Sequence, residues 1–235
     1  MEKQPSFLIT ILARGGSKRI PRKNIKNFLN IPIINYPLNL VKEKFPNIPI
    51  HISSEDDEIL EYVESIGNIV DFKRPKNLAE DTTPSLDVIN YIYEEYKKRK
   101  KDFTHIINIP ATSVFCTEKI IKDSINLSID NPEKIVLPVK EFNVPLETSY
   151  KFNPNKKILY PMDIDKFTKN TQDFSKNVYD AGVLAIIPTR VLNKINNPKF
   201  IASNLIGLKI ENLVIDIDNQ NDWHLSEKIY KSLNT

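Results

Sequence analysis

The sequence predicts an α/β fold in which helices cover a mostly parallel sheet. Residues 7–13 (FLITILA) are nearly all apolar, as expected of a central parallel strand that is buried on both faces. Strand-like and helix-like segments then alternate along most of the 235 residues. A hydrophobic content of 40% and a charged content of 27% suit a chain that buries one core. We therefore expect a single domain, 1–235.

Periodicity and turn signals place the remaining elements. Period-2 or continuous apolar runs predict further strands at 48–53, 103–109, 134–139, 181–187 and 213–218. Helical spacing predicts helices at 35–44, 56–66, 85–96, 117–129 and 222–233. Thr83 is expected to be the N-cap of the third helix, with Pro84 at its first position.

The segment 141–179 differs from the rest of the chain. It is polar, contains Pro145, Pro154 and Pro161, and shows no sustained period. A segment this long inside a compact domain is usually functional. We expect it to project from the sheet as a lid or an interface.

Several classes of protein fit the sequence poorly. The start of the chain lacks the pattern of a signal peptide, and the longest apolar runs are far shorter than the ~20 residues of a membrane-spanning helix. A lone Cys116 and three scattered histidines disfavour a thiol or zinc mechanism. The basic run 97–101 is read as a solvated helix end. We expect a cytoplasmic protein without a membrane or nucleic-acid partner.

The loop at 14–24 is the first candidate site, because it combines paired glycines with repeated positive charge. Backbone N–H groups around Gly15 and Gly16 can cradle an anion while lysine and arginine neutralise phosphate oxygens. Ligands of open α/β sheets bind beyond the carboxyl ends of strands, where this loop begins. The Walker A and G-x-G-x-x-G patterns are absent from the sequence. On charge alone, a solvated surface loop fits equally well.

Asp216 and Asp218 form the second candidate site. Strand alternation would place both carboxylates on one face and Ile215 and Ile217 on the other. Two convergent carboxylates supply the hard oxygen ligands that Mg²⁺ prefers, although such residues also cap helices. The acidic run 55–58, by contrast, is interpreted as the capped start of a helix.

Over most of its length the chain resembles the acylneuraminate cytidylyltransferases, the CMP-nonulosonate synthetases. The resemblance rests on motifs that follow in the family's order: Leu12-Ala13-Arg14-Gly15-Gly16-Ser17-Lys18, Pro21-Arg22-Lys23-Asn24, Ser53-Ser54-Glu55-Asp56, Arg74-Pro75, Leu78-Ala79-Glu80-Asp81, Ser85 and Ile215-Asp216-Ile217-Asp218. Shorter matches at Val144-Pro145-Leu146, Thr171-Gln172-Asp173 and Asp180-Ala181-Gly182 are most like the branch of the family that acts on pseudaminic acid.

The resemblance implies a Rossmann-like three-layer nucleotidyltransferase fold, with 141–179 as the inserted segment that forms a homodimer. It implies that CMP passes from CTP to a nine-carbon nonulosonic acid, with Mg²⁺ as cofactor. The implied nucleotide-binding residues are Arg14, Gly15, Gly16, Ser17, Lys18, Lys23, Asn24, Arg74 and Ser85. Arg14, Lys23, Asp216 and Asp218 would be catalytic, the last two through the metal, and the sugar would contact Gln172, Tyr179 and Asp180.

Three departures from the family pattern concern the sugar site, and one of them is Tyr179, which stands where a basic residue or histidine is common. Pro110-Ala111-Thr112-Ser113 stands where many sialic-acid enzymes carry Gln-Pro-Thr-Ser, and 170–173 lack an expected arginine. Two alternatives therefore stay open. One is another sugar nucleotidyltransferase, such as one that activates an eight-carbon Kdo-type acid. The other is a non-catalytic nucleotide-binding relative.

Overall fold

The computed structural model describes residues 4–166, 174 and 176–233. Its strands are β1 (Phe7–Leu12), β2 (Asn27–Phe28), β3 (Ile31–Pro32), β4 (Ile50–Ser53), β5 (His105–Pro110), β6 (Ile135–Glu141), β7 (Tyr150–Asn153), β8 (Ile158–Pro161), β9 (Val178–Asp180), β10 (Ala185–Pro188) and β11 (Leu205–Lys209). Its helices are α1 (Asn35–Lys44), α2 (Asp57–Ser65), α3 (Ser85–Lys98), α4 (Glu118–Asp130), α5 (Pro198–Ser203) and α6 (Gln220–Leu233).

The central sheet has seven strands in the order β11-β6-β10-β5-β1-β4, with β9 also paired to β6. β1 pairs in parallel with β4 and β5, and β11 pairs in parallel with β6. β10 and β9 run antiparallel to their neighbours. The chain leaves β1 for β4 on one side and returns to β5 on the other, so β1 lies at a topological switch point. The predicted mostly parallel α/β sheet is confirmed.

Strand alternation divides the core into two apolar layers, one on each face of the sheet. Ile9 and Ile107 pack with buried residues of α1, α2, α4 and α6. Leu8 and Ile106 point the opposite way, toward α3 and the 3₁₀ turn Thr189–Lys194. Helices therefore cover both faces, as the three-layer prediction requires.

Two local predictions were wrong. Residues 213–218 form no strand, because β11 occupies the place beside β6; Val214 and Ile217 are nevertheless buried. Thr83 is not the N-cap of α3, because the extended Pro84 holds that position and the helix begins at Ser85. Thr117 does cap α4, and accepts a hydrogen bond from the Ile120 amide at 3.3 Å.

The inserted segment contains the antiparallel hairpin β7–β8, which forms a separate two-stranded sheet. Residues 167–173 and 175 lie outside the described residues, and with them the predicted sugar contact Gln172.

No helix among the described residues is long and apolar enough to cross a membrane.

Two buried histidines should make the fold sensitive to acid. His51 and His105 are 1% and 3% exposed, and burial lowers the pKa of each to about 4 from an ordinary 6.5. The unfolded chain binds these protons at higher pH than the folded chain does. The contribution of these neutral histidines to the free energy of unfolding is therefore fully present above about pH 6.5. It is lost as the pH drops toward 4, by about 3 kcal/mol for each histidine.

Urea unfolding at pH 7 and at pH 4.5 measures this loss. In H51Q the loss between the two pH values should shrink, since glutamine cannot titrate there. Equal pH dependence in wild type, H51Q and H105Q would contradict the assignment.

Candidate functional site

A cleft of about 290 Å³ opens beyond the carboxyl ends of β1 and β5. Its lining combines apolar side chains with strongly charged ones. The lining residues are Leu12, Leu78, Val88, Pro110 and Ala111, the cations Arg14, Lys18, Arg19, Lys23 and Arg74, the acids Glu80, Asp81 and Asp218, and Ser17, Asn24, Thr83, Ser85 and Thr112. Apolar and cationic walls in one cleft can take a base at one end and phosphates at the other.

The loop after β1 folds so that its two ends meet. Lys23 and Asn24 lie on the 3₁₀ turn Lys23–Ile25. The buried Asn24 side chain donates from Nδ2 to the Arg14 carbonyl oxygen at 2.8 Å. This bond closes the loop and brings Arg14 and Lys23 to the same cleft.

The aspartates expected near the metal lie opposite this loop. Asp218 Oδ1 lies 3.1 Å from the Arg19 guanidinium and 3.6 Å from Lys23 Nζ, which donates to the Ile217 carbonyl oxygen at 2.7 Å. Ile217 is fully buried and anchors the segment although no strand forms. Asp218 thus meets the cations after β1 in one cleft, whereas Asp216 is not among the described residues that line it.

Asp216 lies in a negative environment beside Asp218. Its pKa is raised, first by desolvation and then by the Asp218 carboxylate, with Lys23 acting in the opposite direction. Two neighbouring carboxylates that resist being charged together are suited to a divalent cation. Among the described residues, no group of three or more acidic, histidine or cysteine side chains could hold a metal ion unaided. A metal here would draw its other ligands from phosphate and water.

Asp180 and Tyr179, expected at the sugar site, lie near the same end of the sheet on β9. The Asp180 carboxylate accepts a hydrogen bond from the Gly182 amide at 2.9 Å and contributes to the raised pKa of Asp216. Gly182 has a φ of +67°, and a side chain there would come within 3.1 Å of the Asp216 carboxylate. Tyr179 packs on Phe142 with ring centroids 4.8 Å apart.

Arg74 is the most buried of the predicted nucleotide contacts, with 5% of its surface exposed. Its Nε donates to Ser53 Oγ at 2.9 Å and its NH2 to the Ser53 carbonyl oxygen at 2.6 Å. Desolvation, together with the nearby Arg14, lowers its pKa to about 10, so it stays charged at neutral pH. The β4 strand therefore fixes this guanidinium in the cleft wall.

Gly15 departs from the expected anion cradle. Its N–H donates to Glu55 Oε1 at 2.8 Å, so this amide is engaged within the protein. Gly16, by contrast, has open space around it.

Asp81, for which the sequence predicted no role, binds two cations of the cleft. Its carboxylate contacts Arg14 NH1 at 2.7 Å and also contacts Lys18 Nζ. The Lys18 hydrogen bond is the main reason that the pKa of Asp81 is lowered. Because phosphate oxygens seek the same donors, a triphosphate that binds these cations would displace this carboxylate. Arg19 and Thr112 also line the cleft without having been predicted.

Asp81→Asn should therefore strengthen triphosphate binding, since the amide no longer competes as a charge. Exposed ion pairs are weak, so we expect a several-fold lower Kd by calorimetry. Glu80→Gln removes a charge from the same cleft and serves as the control. Weaker binding in D81N than in E80Q would show that Asp81 orients the cations instead.

Comparison with known proteins adds a second line of evidence. The family model described as cytidylyltransferase matches residues 8–178. The chain is 30% identical to a pseudaminic acid cytidylyltransferase of Campylobacter jejuni, over 95% of this chain and 96% of the relative. It is 32% identical to a CMP-N,N'-diacetyllegionaminic acid synthase of the same species, over 46% of each chain. A solved CMP:2-keto-3-deoxy-manno-octonic acid synthetase in complex with CTP superposes with a TM-score of 0.73 at 12% identity, covering 97% of this chain and 99% of that one.

Proposed function

Because the chain belongs to the cytidylyltransferase family, we propose that it transfers CMP from CTP to the anomeric hydroxyl of a nine-carbon nonulosonic acid and releases pyrophosphate. The observation that carries this proposal is the cleft in which Arg14, Lys23 and Asp218 converge. The full-length similarity to a pseudaminic acid cytidylyltransferase makes pseudaminic acid the first acceptor to test. Sialic and legionaminic acids are the next candidates.

The residues of the cleft account for the reaction by positioning and charge. The sugar hydroxyl loses its proton to solvent and attacks the α-phosphorus in line, and the P–O bond to pyrophosphate breaks on the opposite side. Arg14, Lys18 and Arg19 provide the cationic donors for the triphosphate. Such transfers are catalysed largely by orientation and electrostatic stabilisation, so no covalent intermediate is required.

We propose that Asp216 and Asp218 hold Mg²⁺. The two carboxylates are close enough to influence each other, and they offer the hard oxygen ligands that this ion prefers. When bound, the ion would act as a Lewis acid that neutralises charge on the phosphate oxygens. Lys23 lies beside the pair and keeps a positive charge between the aspartates and the loop.

The base is assigned to the end of the cleft lined by Leu12, Val88 and Ser85. Arg74, held by Ser53, lines the same cleft and can donate to a base edge. The Asn24 amide is engaged with Arg14, so its main role here is to shape the loop.

Pyrophosphate release tests this function directly. We expect release from CTP, but not from ATP, GTP or UTP at comparable rates, and only with both Mg²⁺ and a nonulosonic acid present. A nucleotide-binding protein without activity would bind CTP and release no pyrophosphate. Release with a Kdo-type acid but with no nonulosonic acid would instead show that the acceptor is an eight-carbon Kdo-type acid.

A homodimer is also part of the proposal. β7–β8 presents an apolar face on which Phe152 pairs with Leu159 and Tyr150 with Pro161, and Phe152 is 60% exposed. A lone two-stranded hairpin is marginally stable in water, so a second copy of the chain would both cover and stabilise it. Light scattering should give twice the chain mass of 27.2 kDa, and F152E should shift it to the monomer. A monomeric wild type would overturn this part.

We place the reaction in the cytoplasm, where CTP is available.

A further inference from the structure

We propose that Glu55 and Asp56, at the start of α2, form a clamp with Gly15 and Arg22 that positions the cations of the phosphate-binding loop. None of these residues is among the described residues that line the cleft. They would act through Arg14 and Lys23 and so are positioning residues. This inference rests on the proposed function and extends it to residues that do not touch the substrate.

The clamp holds the loop at both ends. At one end, the Gly15 N–H donates to Glu55 Oε1 at 2.8 Å. At the other end, the Arg22 guanidinium donates to both Asp56 carboxylate oxygens, at 2.6 and 2.9 Å. Each held residue is the direct chain neighbour of a cation in the cleft, Arg14 or Lys23. Movement of either anchor would therefore displace a cation.

The backbone of Arg22 supports this role. Arg22 has a φ of +55° and a ψ of +30°, a left-handed conformation that carries an energetic cost for any residue with a side chain. It precedes the 3₁₀ turn that carries Lys23 and Asn24, so this conformation sets the direction of the turn. The two-point bond to Asp56 holds the guanidinium in one orientation and offsets that cost.

Close packing couples α2 to the loop at Gly15. A side chain at this position would overlap the Asp56 carboxylate. Asp56 is also the N-cap of α2 and accepts from the Ile59 amide at 3.2 Å. The helix start, the Gly15 backbone and the Arg22 side chain therefore meet at one carboxylate.

Helix capping alone does not account for these contacts. It explains the bond from Ile59 to Asp56, but it requires neither the bond from Gly15 to Glu55 nor the left-handed Arg22. The Arg22–Asp56 hydrogen bond is also the main cause that lowers the pKa of Asp56 and raises the pKa of Arg22. Asp57, the next residue, pairs with Lys73 at 2.5 Å instead.

The test compares Arg22→Met, Glu55→Ala and Glu55→Gln with the control Asp57→Asn. Misplacing a catalytic group by about 1 Å can cost 100-fold, so R22M should lower kcat/KM for CTP by about 10- to 100-fold while the protein stays folded. E55A should lose activity similarly. E55Q keeps an acceptor for the Gly15 N–H and should restore most of it, and D57N should match wild type.

Thermal melts and circular dichroism supply the folded fraction for each variant. The combined effect of R22M and Asp56→Asn should be smaller than the two single effects taken together, because both break the Arg22–Asp56 pair. R22M also removes the bond from Arg22 to Glu58 Oε2 at 2.5 Å, and Asp56→Asn also alters the N-cap of α2. Wild-type kcat/KM in R22M and E55A, or losses explained entirely by a smaller folded fraction, would overturn the clamp. A wild-type protein that releases no pyrophosphate would overturn the proposed function itself.

Discussion

Replacing Asp218 by asparagine should lower pyrophosphate release by about a thousandfold while the protein remains folded. Asparagine keeps the shape of the side chain but loses the charge that would bind the metal and that pairs with Arg19 and Lys23. Metal-based charge stabilisation contributes several kcal/mol to a transition state, and each 1.36 kcal/mol is tenfold in rate. Single-turnover measurement of CMP transfer reports the loss.

The fold should tolerate this change because the Asp218 backbone is held independently. Its N–H donates to Asp222 Oδ2 at 2.9 Å, and that bond remains in the variant. Asp123→Asn is a suitable control, since Asp123 forms an exposed ion pair with Lys119 on α4. An unchanged rate in D218N would remove Asp218 from the metal site.

Lys23→Met should reduce kcat by about 100-fold or more. Lys23 is mostly buried, with 18% of its side chain exposed, and it joins the loop after β1 to the aspartate segment through the Ile217 carbonyl. Methionine fills similar space without charge, so the variant removes one fixed donor from the reacting phosphates. Loss of one such preorganised donor typically costs 10²–10³ in kcat.

Lys26→Met provides the matched control for this variant. Lys26 lies three residues later, contacts Gln220 at 3.3 Å and rests over the Trp223 ring, outside the residues that line the cleft. K26M should therefore keep near wild-type kcat. Equal losses in K23M and K26M would point to general disturbance of the segment and would contradict a specific role for Lys23.

Much of the fold was predictable because its signals are local and strong. The continuous apolar run of β1 and the spacing of α1 gave nearly correct bounds. The strand predicted at 213–218 was wrong because an alternating pattern of apolar residues indicates which side chains are buried. It does not indicate whether a neighbouring strand is available to pair with the backbone. The true neighbour of β6, β11, is short and contains Gly207, which packs against Val139. Its sequence gave little sign of a strand.

The candidate site was predictable in part for a related reason. Residue chemistry and resemblance indicated the cationic loop and Asp218, which the structure brings together. They did not indicate that the Asp81 carboxylate forms ion pairs with the loop cations, because that contact depends on how the turn before α3 packs against the loop. The acidic run 55–58 was interpreted as a helix cap. Asp56 does cap α2. The contacts of Glu55 and Asp56 with the loop, however, depend on tertiary packing, which the spacing of apolar residues and the pattern of charges along the sequence do not indicate.

Spectroscopy of a bound metal tests the central arrangement most directly. Mn²⁺ can replace Mg²⁺ as a paramagnetic probe, and electron–nuclear double resonance detects phosphorus near it. We predict that the complex of protein, Mn²⁺ and CTP shows ³¹P coupling from the triphosphate, and that D216N and D218N still bind CTP but lose the protein-bound Mn²⁺ signal. Identical spectra in the wild type and both variants would contradict an active site in which the loop cations and these aspartates share one triphosphate.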